Sequence, residues 1–175
     1  MTLYMNKYRV ETTRLKNWDY TRDGRYFITI CTSGRENLLG IIENGIINLN
    51  QNGRIVEQCW FDLPNHYSNL LLDAFVVMPN HIHGIMIIDN KIVETGFKPV
   101  STQSNIKTHG IFEFVRALKT FSSRGMNNLE NTAGKQRWQT RFHDHIIHDE
   151  QEFKRIQQYI YNNPSSWAND SLNAK

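Results

Sequence analysis

Apolar and polar positions divide the chain into short elements. Tyr26 to Thr32 (YFITICT) is dense in aromatic and β-branched residues and predicts a strand. Leu38 to Leu49 predicts two short strands around Glu43-Asn44-Gly45, a hairpin turn signal. From Asn50 to Leu63 the residues Ile55, Val56, Cys59, Trp60 and Leu63 fall at helical spacing, with Asn50 or Asn52 as N-cap and Pro64 beyond the end. Leu70 to Val77 is a nearly continuous apolar run, and His81 to Ile88 follows after Met78-Pro79-Asn80. So short a connection makes these two strands antiparallel neighbours. Ile111 to Phe121 carries Ile111, Phe114, Val115, Leu118 and Phe121 on one side and Lys/Arg on the other, an amphipathic helix. Trp138 to Ile147 predicts a strand. Asp149 or Glu150 opens a last helix that must stop near Asn163, because Pro164 follows.

The remaining segments lack periodicity. Residues 1–25 read as an irregular basic and aromatic arm, 90–108 as a long loop, Asn127 to Gln136 as a loop, and 168–175 as a frayed tail. With the small hairpin set aside, the order is βαββαβ, the split βαβ arrangement. The expectation is one α+β domain over residues 1–175: a ferredoxin-like antiparallel sheet with helices on one face and His81-Ile82-His83 on a central strand.

Composition narrows the class without naming a function. A chain of 175 residues, 39% hydrophobic and 11% aromatic, fills one core and is not a disordered segment. Two cysteines exclude a disulfide scaffold and suit a reducing, cytoplasmic setting. No apolar run reaches the length of a membrane span, and no signal peptide is legible at the start. A net charge of +3 permits an anionic partner without demanding one.

Particular residues carry the chemistry. On a strand, His81 and His83 point to the same face, with Ile82 turned into the opposite layer. The pair is either a metal-binding couple of neutral imidazoles or two polar residues on an exposed sheet face. Tyr159 and Asn163, four apart on the last helix, share a face. They are either a nucleophile beside an amide ligand or a packing tyrosine and a helix stop. Tyr161 lies off the other edge of the stripe made by Phe153, Ile156 and Ile160. The segment WQTRFHDHIIHD, Trp138 to Asp149, brings Arg141 and His143 onto a strand that reads as phosphate- and base-contacting, as a second metal cluster, or as a solvated face. Arg116, Lys119 and Arg124 form a basic side of the amphipathic helix, either phosphate-facing or simply solvated.

Together these segments resemble a known family. Met78-Pro79-Asn80-His81-Ile82-His83-Gly84-Ile85 is similar to the HUH motif (His, hydrophobic, His) of Y1 transposases, the IS200/IS605-like superfamily. Trp138-Gln139 through His145-Ile146-Ile147, then Phe153, Ile156, Tyr159-Ile160 and Asn163-Pro164, resembles the C-terminal block of the REP-associated tyrosine transposase branch. Trp18-Asp19-Tyr20, the strand Tyr26 to Thr32 and the helix Phe114 to Phe121 also resemble that branch. His148 departs from the family pattern, which has a basic residue after His-Ile-Ile, and the loop Asp89 to Thr108 has no counterpart.

The resemblance implies a metal-dependent endonuclease and strand transferase that cuts and rejoins single-stranded DNA at hairpins through a 5′-phosphotyrosine. It implies Tyr159 as nucleophile and His81, His83 and Asn163 as ligands of Mg²⁺ or Mn²⁺. Read from the residues themselves, Arg116, Lys119, Arg141 and His143 are the candidate DNA contacts and no membrane partner is expected, while the resemblance allows either a monomer or a homodimer. Two other readings stand beside it: a non-catalytic single-stranded nucleic-acid-binding protein on a ferredoxin-like fold, and a metal-dependent hydrolase of a small phosphate ester.

Overall fold

The structure, a computed structural model, describes residues 18–91 and 109–173, together with the backbone pairing of two short strands, β1 (Leu3–Tyr4) and β2 (Lys7–Tyr8). Residues 92–108 of the expected 90–108 loop and most of the 1–25 arm lie outside the described residues. The rest is β3 (Gly24–Cys31), the hairpin β4 (Gly40–Glu43) and β5 (Ile46–Leu49), α1 (Gln51–His66), β6 (Leu70–Val77), β7 (His81–Ile88), α2 (Ile111–Glu130), β8 (His143–Ile147) and α3 (Glu150–Asn162). A 3-10 turn, Pro164–Asn169, follows α3.

The main sheet has the order β6-β7-β3-β8, and every neighbouring pair is antiparallel. With β3, β6, β7 and β8 as the four strands and α1 and α2 as the crossovers, this is the ferredoxin-like sheet, and β7, which carries His81 and His83, is central. Strand alternation gives the sheet two faces. Tyr26, Ile28, Ile30, Ile82 and Met86 enter the larger core with Val56, Trp60, Phe114 and Leu118 of α1 and α2. Ile85 and Ile147 enter a smaller core with Phe153, Ile156 and Ile160 of α3. The expectation of helices on one face therefore holds for α1 and α2 and is corrected for α3. The last helix covers the opposite face, because β7 and β8 present apolar residues on both sides.

Local chemistry explains most boundaries. Asn44 and Gly45 take positive φ, 51° and 75°, as a tight hairpin turn requires. Asn50, not Asn52, caps α1, its side chain accepting from the Gly53 N–H. Asp149 caps α3 in the same way through the Glu152 N–H.

Three element boundaries differ from expectation. Helix α1 continues past Pro64 to His66. Helix α2 runs to Glu130 rather than Phe121, since Ser122 and Met126 extend its buried stripe, and it ends on left-handed Asn131. The last strand is shorter than Trp138 to Ile147. Trp138 makes a lone bridge to Thr32 and drives its indole N–H onto the Ser122 hydroxyl at 2.9 Å, and regular pairing begins only at His143.

Candidate active site under the last helix

Strand periodicity places His81 and His83 side by side on the α3 face of β7, opposite Cys31 and Thr29 of β3. Both are buried, at 0% and 2% exposure, so the pair does not stand on an open sheet face. Their Nε2 atoms lie 3.1 Å apart. The Nδ1 atoms are held from behind. The Asn80 side-chain oxygen lies 2.8 Å from His81 Nδ1, and the Thr29 hydroxyl lies 2.8 Å from His83 Nδ1. The Asn80 amide nitrogen donates to the Leu172 and Arg35 carbonyls, at 2.8 and 3.2 Å. Its oxygen is thereby turned toward His81, which must donate from Nδ1, leaving the Nε2 lone pair aimed at the space shared with His83.

Helix α3 brings its residues over this pair. Tyr159 sets its hydroxyl 3.3 Å from His83 Nε2 and packs edge-on against Phe27. Tyr161, two residues on, points away and is 62% exposed. Asn163 sits at the C-cap of α3, buried, close enough to bond the Tyr159 hydroxyl, while its Oδ1 has no hydrogen-bond partner. Pro164 then forces the chain into the 3-10 turn, which lays the Trp167 ring 5.9 Å from the His81 ring. Asp170 follows, its Oδ2 3.8 Å from His81 Nε2 and likewise unpartnered.

The electrostatics follow from this burial. Desolvation depresses the His81 pKa to about 4; the Asp170 carboxylate opposes that shift and Arg35 adds to it. Burial holds His83 well below the ordinary imidazole value, helped by His81 and His143. The Tyr159 phenol is raised, first by burial and then by Asp170, with the Asn163 hydrogen bond pulling the other way. Both imidazoles are therefore neutral and ready to ligate. Two imidazole nitrogens converge with the carboxylate of Asp170, and Asn163, which bonds Tyr159, has its Oδ1 buried without a partner. Buried acceptors without donors are costly, and a divalent cation satisfies them together; the donor set of two imidazoles with oxygen ligands fits Mn²⁺ and, with retained waters, Mg²⁺.

A groove of about 700 Å³ opens beside Tyr159 and His83 and runs along β8, with Arg35, Arg141, Arg155, His143 and Phe142 in its walls. Of the residues singled out in the sequence, the structure brings His81, His83, Tyr159 and Asn163 together and places Arg141 and His143 in the adjoining groove. Arg116 and Lys119 are elsewhere, on α2. Arg116 is solvated, 4.0 Å from Glu113, and the Lys119 ammonium donates to the carbonyls of Gln139, Thr140 and Arg141, at 2.7, 3.2 and 3.4 Å. His145 and His143 do not form a second metal cluster among the described residues; His145 instead pairs with Glu152 at 2.8 Å. Sequence reasoning missed Asp170 and Thr29. Asp170 lies in the stretch read as a frayed tail, which is folded through residue 173, and no periodicity announces it.

The comparisons with known proteins agree with this architecture. No protein-family model matches the chain. An uncharacterized protein of Haemophilus influenzae is 34% identical over 162 residues, covering 91% of this chain and 90% of that protein, and the chain belongs to the same family. The solved structure of a REP-associated tyrosine transposase bound to a REP hairpin superposes at TM-score 0.57 with 18% identity, over 89% of this chain and 74% of that one. The fold is that of a Y1 transposase. A Deinococcus radiodurans structure aligns at TM-score 0.49 with 20% identity, over 86% of this chain and 97% of that one, too distant to carry an argument. Among the described residues, no helix is long and apolar enough to cross a membrane.

Proposed function

We propose that the protein is a metal-dependent single-stranded DNA nicking and joining enzyme of the transposase kind, acting at DNA hairpins. The observation that carries this reading is the position of the Tyr159 hydroxyl, 3.3 Å from a histidine that converges with a second histidine and the unpartnered Asp170 carboxylate. His81, His83, Asp170 and Asn163 would hold a divalent cation, and such a cation would supply charge withdrawal from a phosphate oxygen. The protein's own part is to hold the phenol beside that phosphate, on a helix packed rigidly against the sheet, in the geometry an in-line displacement needs. The bond from the Tyr159 oxygen to phosphorus forms as the bond from phosphorus to O3′ breaks. The products are a 5′-phosphotyrosine and a free 3′-hydroxyl, and the phosphotyrosine retains the bond energy for rejoining.

A purely binding protein on this fold has no use for a nucleophile over a buried ligand set, which argues against the non-catalytic alternative. The test is to incubate the protein and Mn²⁺ with labelled single-stranded hairpin DNA from the flanks of its own gene. A denaturation-resistant protein–DNA adduct that vanishes with chelator is expected. His81→Ala and His83→Ala should each abolish it while hairpin binding persists. Binding without any adduct would favour the non-catalytic reading.

A further inference from the structure

An in-line displacement at phosphorus moves two protons. The Tyr159 phenol must lose one, and the leaving O3′ must gain one to end as a hydroxyl. His81 and His83 are neutral with their Nε2 atoms turned into the ligand space, so they carry no proton for O3′. A donor must come from the groove beside Tyr159, and no acidic side chain lines it. Its arginines, Arg35, Arg141 and Arg155, do not give up protons. Burial pushes the Cys31 thiol up, so it holds its proton. His145 spends its Nε2 on Glu152 at 2.8 Å. That leaves His143, which is exposed in the groove wall and enters no hydrogen bond or ion pair among the described residues. Imidazole is the side chain that gives and takes protons near neutral pH.

Strand register places it. Thr29 pairs with His83 of β7 on one side and with His143 of β8 on the other. Cross-strand partners share a face, and Ile147, four residues on from His143, packs beneath α3. The three side chains thus form one row under the last helix. Thr29, its hydroxyl 2.8 Å from His83 Nδ1, stands between the two imidazoles. Neighbouring strands lie about 4.8 Å apart, so roughly 10 Å of sheet separates His83 from His143. Tyr159 stands over the His83 end of the row, 3.3 Å from its Nε2. A nucleophile about 3 Å from phosphorus, one P–O bond and a hydrogen bond of about 3 Å span a comparable length. An in-line path laid along the row puts the leaving oxygen at its His143 end. The charged groups facing that end are cations: Arg141 from its own chain, Arg155 from α3 and Arg35 from the turn after β3. The other titratable groups there are His83, His145, Cys31 and Tyr159. Phosphates of bound DNA supply the counter-charge that lets the imidazole carry its proton.

We infer that His143 is the general acid of strand cleavage and the general base of rejoining. This rests on the nicking function proposed above and adds the proton carrier for its leaving group. In cleavage the Tyr159 oxygen bonds to phosphorus and its phenolic proton passes to groove water. The electron pair of the P–O3′ bond goes to O3′, which takes the proton of the His143 imidazolium. In rejoining the neutral imidazole takes that proton back as O3′ attacks phosphorus. The phosphotyrosine bond breaks and the phenolate regains a proton from water.

The test compares two leaving groups. Once the wild-type adduct has located the cleaved phosphate, tailed hairpin DNA from the gene's own flank is made with O3′ at that phosphate either kept or replaced by sulfur. A thiolate leaves without a proton. Adduct formation is followed in single turnover, with Mn²⁺ and saturating protein, for the wild type, His143→Gln and His143→Ala. On the oxygen substrate both variants should be slower by on the order of 10²-fold. On the sulfur substrate all three proteins should run at the same rate. Equal losses on both substrates would make His143 a DNA contact or a structural residue and overturn the inference, as would full rate of the variants on oxygen. Wild type that forms no adduct on the oxygen substrate would instead overturn the nicking function itself, and this inference with it.

Discussion

Tyr159 and Tyr161 show how much one helical phase decides. Two residues apart on α3, they lie roughly 200° apart around the axis, and only the first reaches His83. Tyr159→Phe, which removes one oxygen, should eliminate the covalent DNA adduct and leave hairpin affinity almost unchanged. Tyr161→Phe should change neither, and the reverse pattern on denaturing gels would show the phase to be wrong. Asn80 has a different part. By accepting from His81 Nδ1 it fixes which imidazole nitrogen is free to ligate. Replacing it with Leu should weaken Mn²⁺ binding about 10–100-fold by isothermal titration calorimetry. Asn80→Asp, which keeps the acceptor, should retain binding. The spacing of His81 and His83 and of Tyr159 and Asn163 was readable from residue order, because strand and helix periods are local. Thr29 and Asp170 were not, because each reaches the site from a distant part of the chain.

At the scale of elements, the site depends on α3 lying flat on one sheet face while α1 lies on the other. Gly84 makes the second contact close. It faces the Trp60 ring, which stacks on Phe75 at 4.3 Å, and a β-carbon there would collide with the Trp60 ring and crowd Phe75. Gly84→Ala should destabilise the protein by roughly 1–3 kcal/mol in denaturant unfolding, as overpacking does. A neutral effect would mean that α1 shifts freely over the sheet. The helices and strands with strong periodicity, α1, α3, β3, β6 and β7, were legible. The end of α2 was not, because Ser122 lies just past the apolar stripe and Asn127 reads as a loop residue until Trp138 and Arg137 are seen to use them. The segment from Gln139 to Phe142 read as strand by its residue types, but Lys119 claims three of its carbonyls and takes it out of the ladder.

For the whole molecule, two buried neutral histidines make stability pH-dependent. In the metal-free protein the His81 pKa is about 4, against 6.5 for the free side chain, and His83 is depressed as well. Between those values the unfolded chain binds more protons, so stability rises with pH through this window and is complete above it. His81 alone should cost on the order of 3 kcal/mol as pH falls from 7 to 4. Thermal unfolding of chelated protein should show the loss, and a His81→Gln, His83→Gln variant should flatten it. Mn²⁺ should steepen the same profile, since protons and cation compete for the same nitrogens. By itself the sequence determined the βαββαβ order, the HxH strand and the helix bearing Tyr159 and Asn163, since these depend on periods of two and of 3.6 residues and on capping within a few positions. Tertiary packing decided which sheet face α3 covers and that the residues after Pro164 fold back to bring Asp170 beside His81. Those depend on packing between segments far apart in the chain, where the free energy belongs to the pair of surfaces and neither strand nor helix carries it in its own residues.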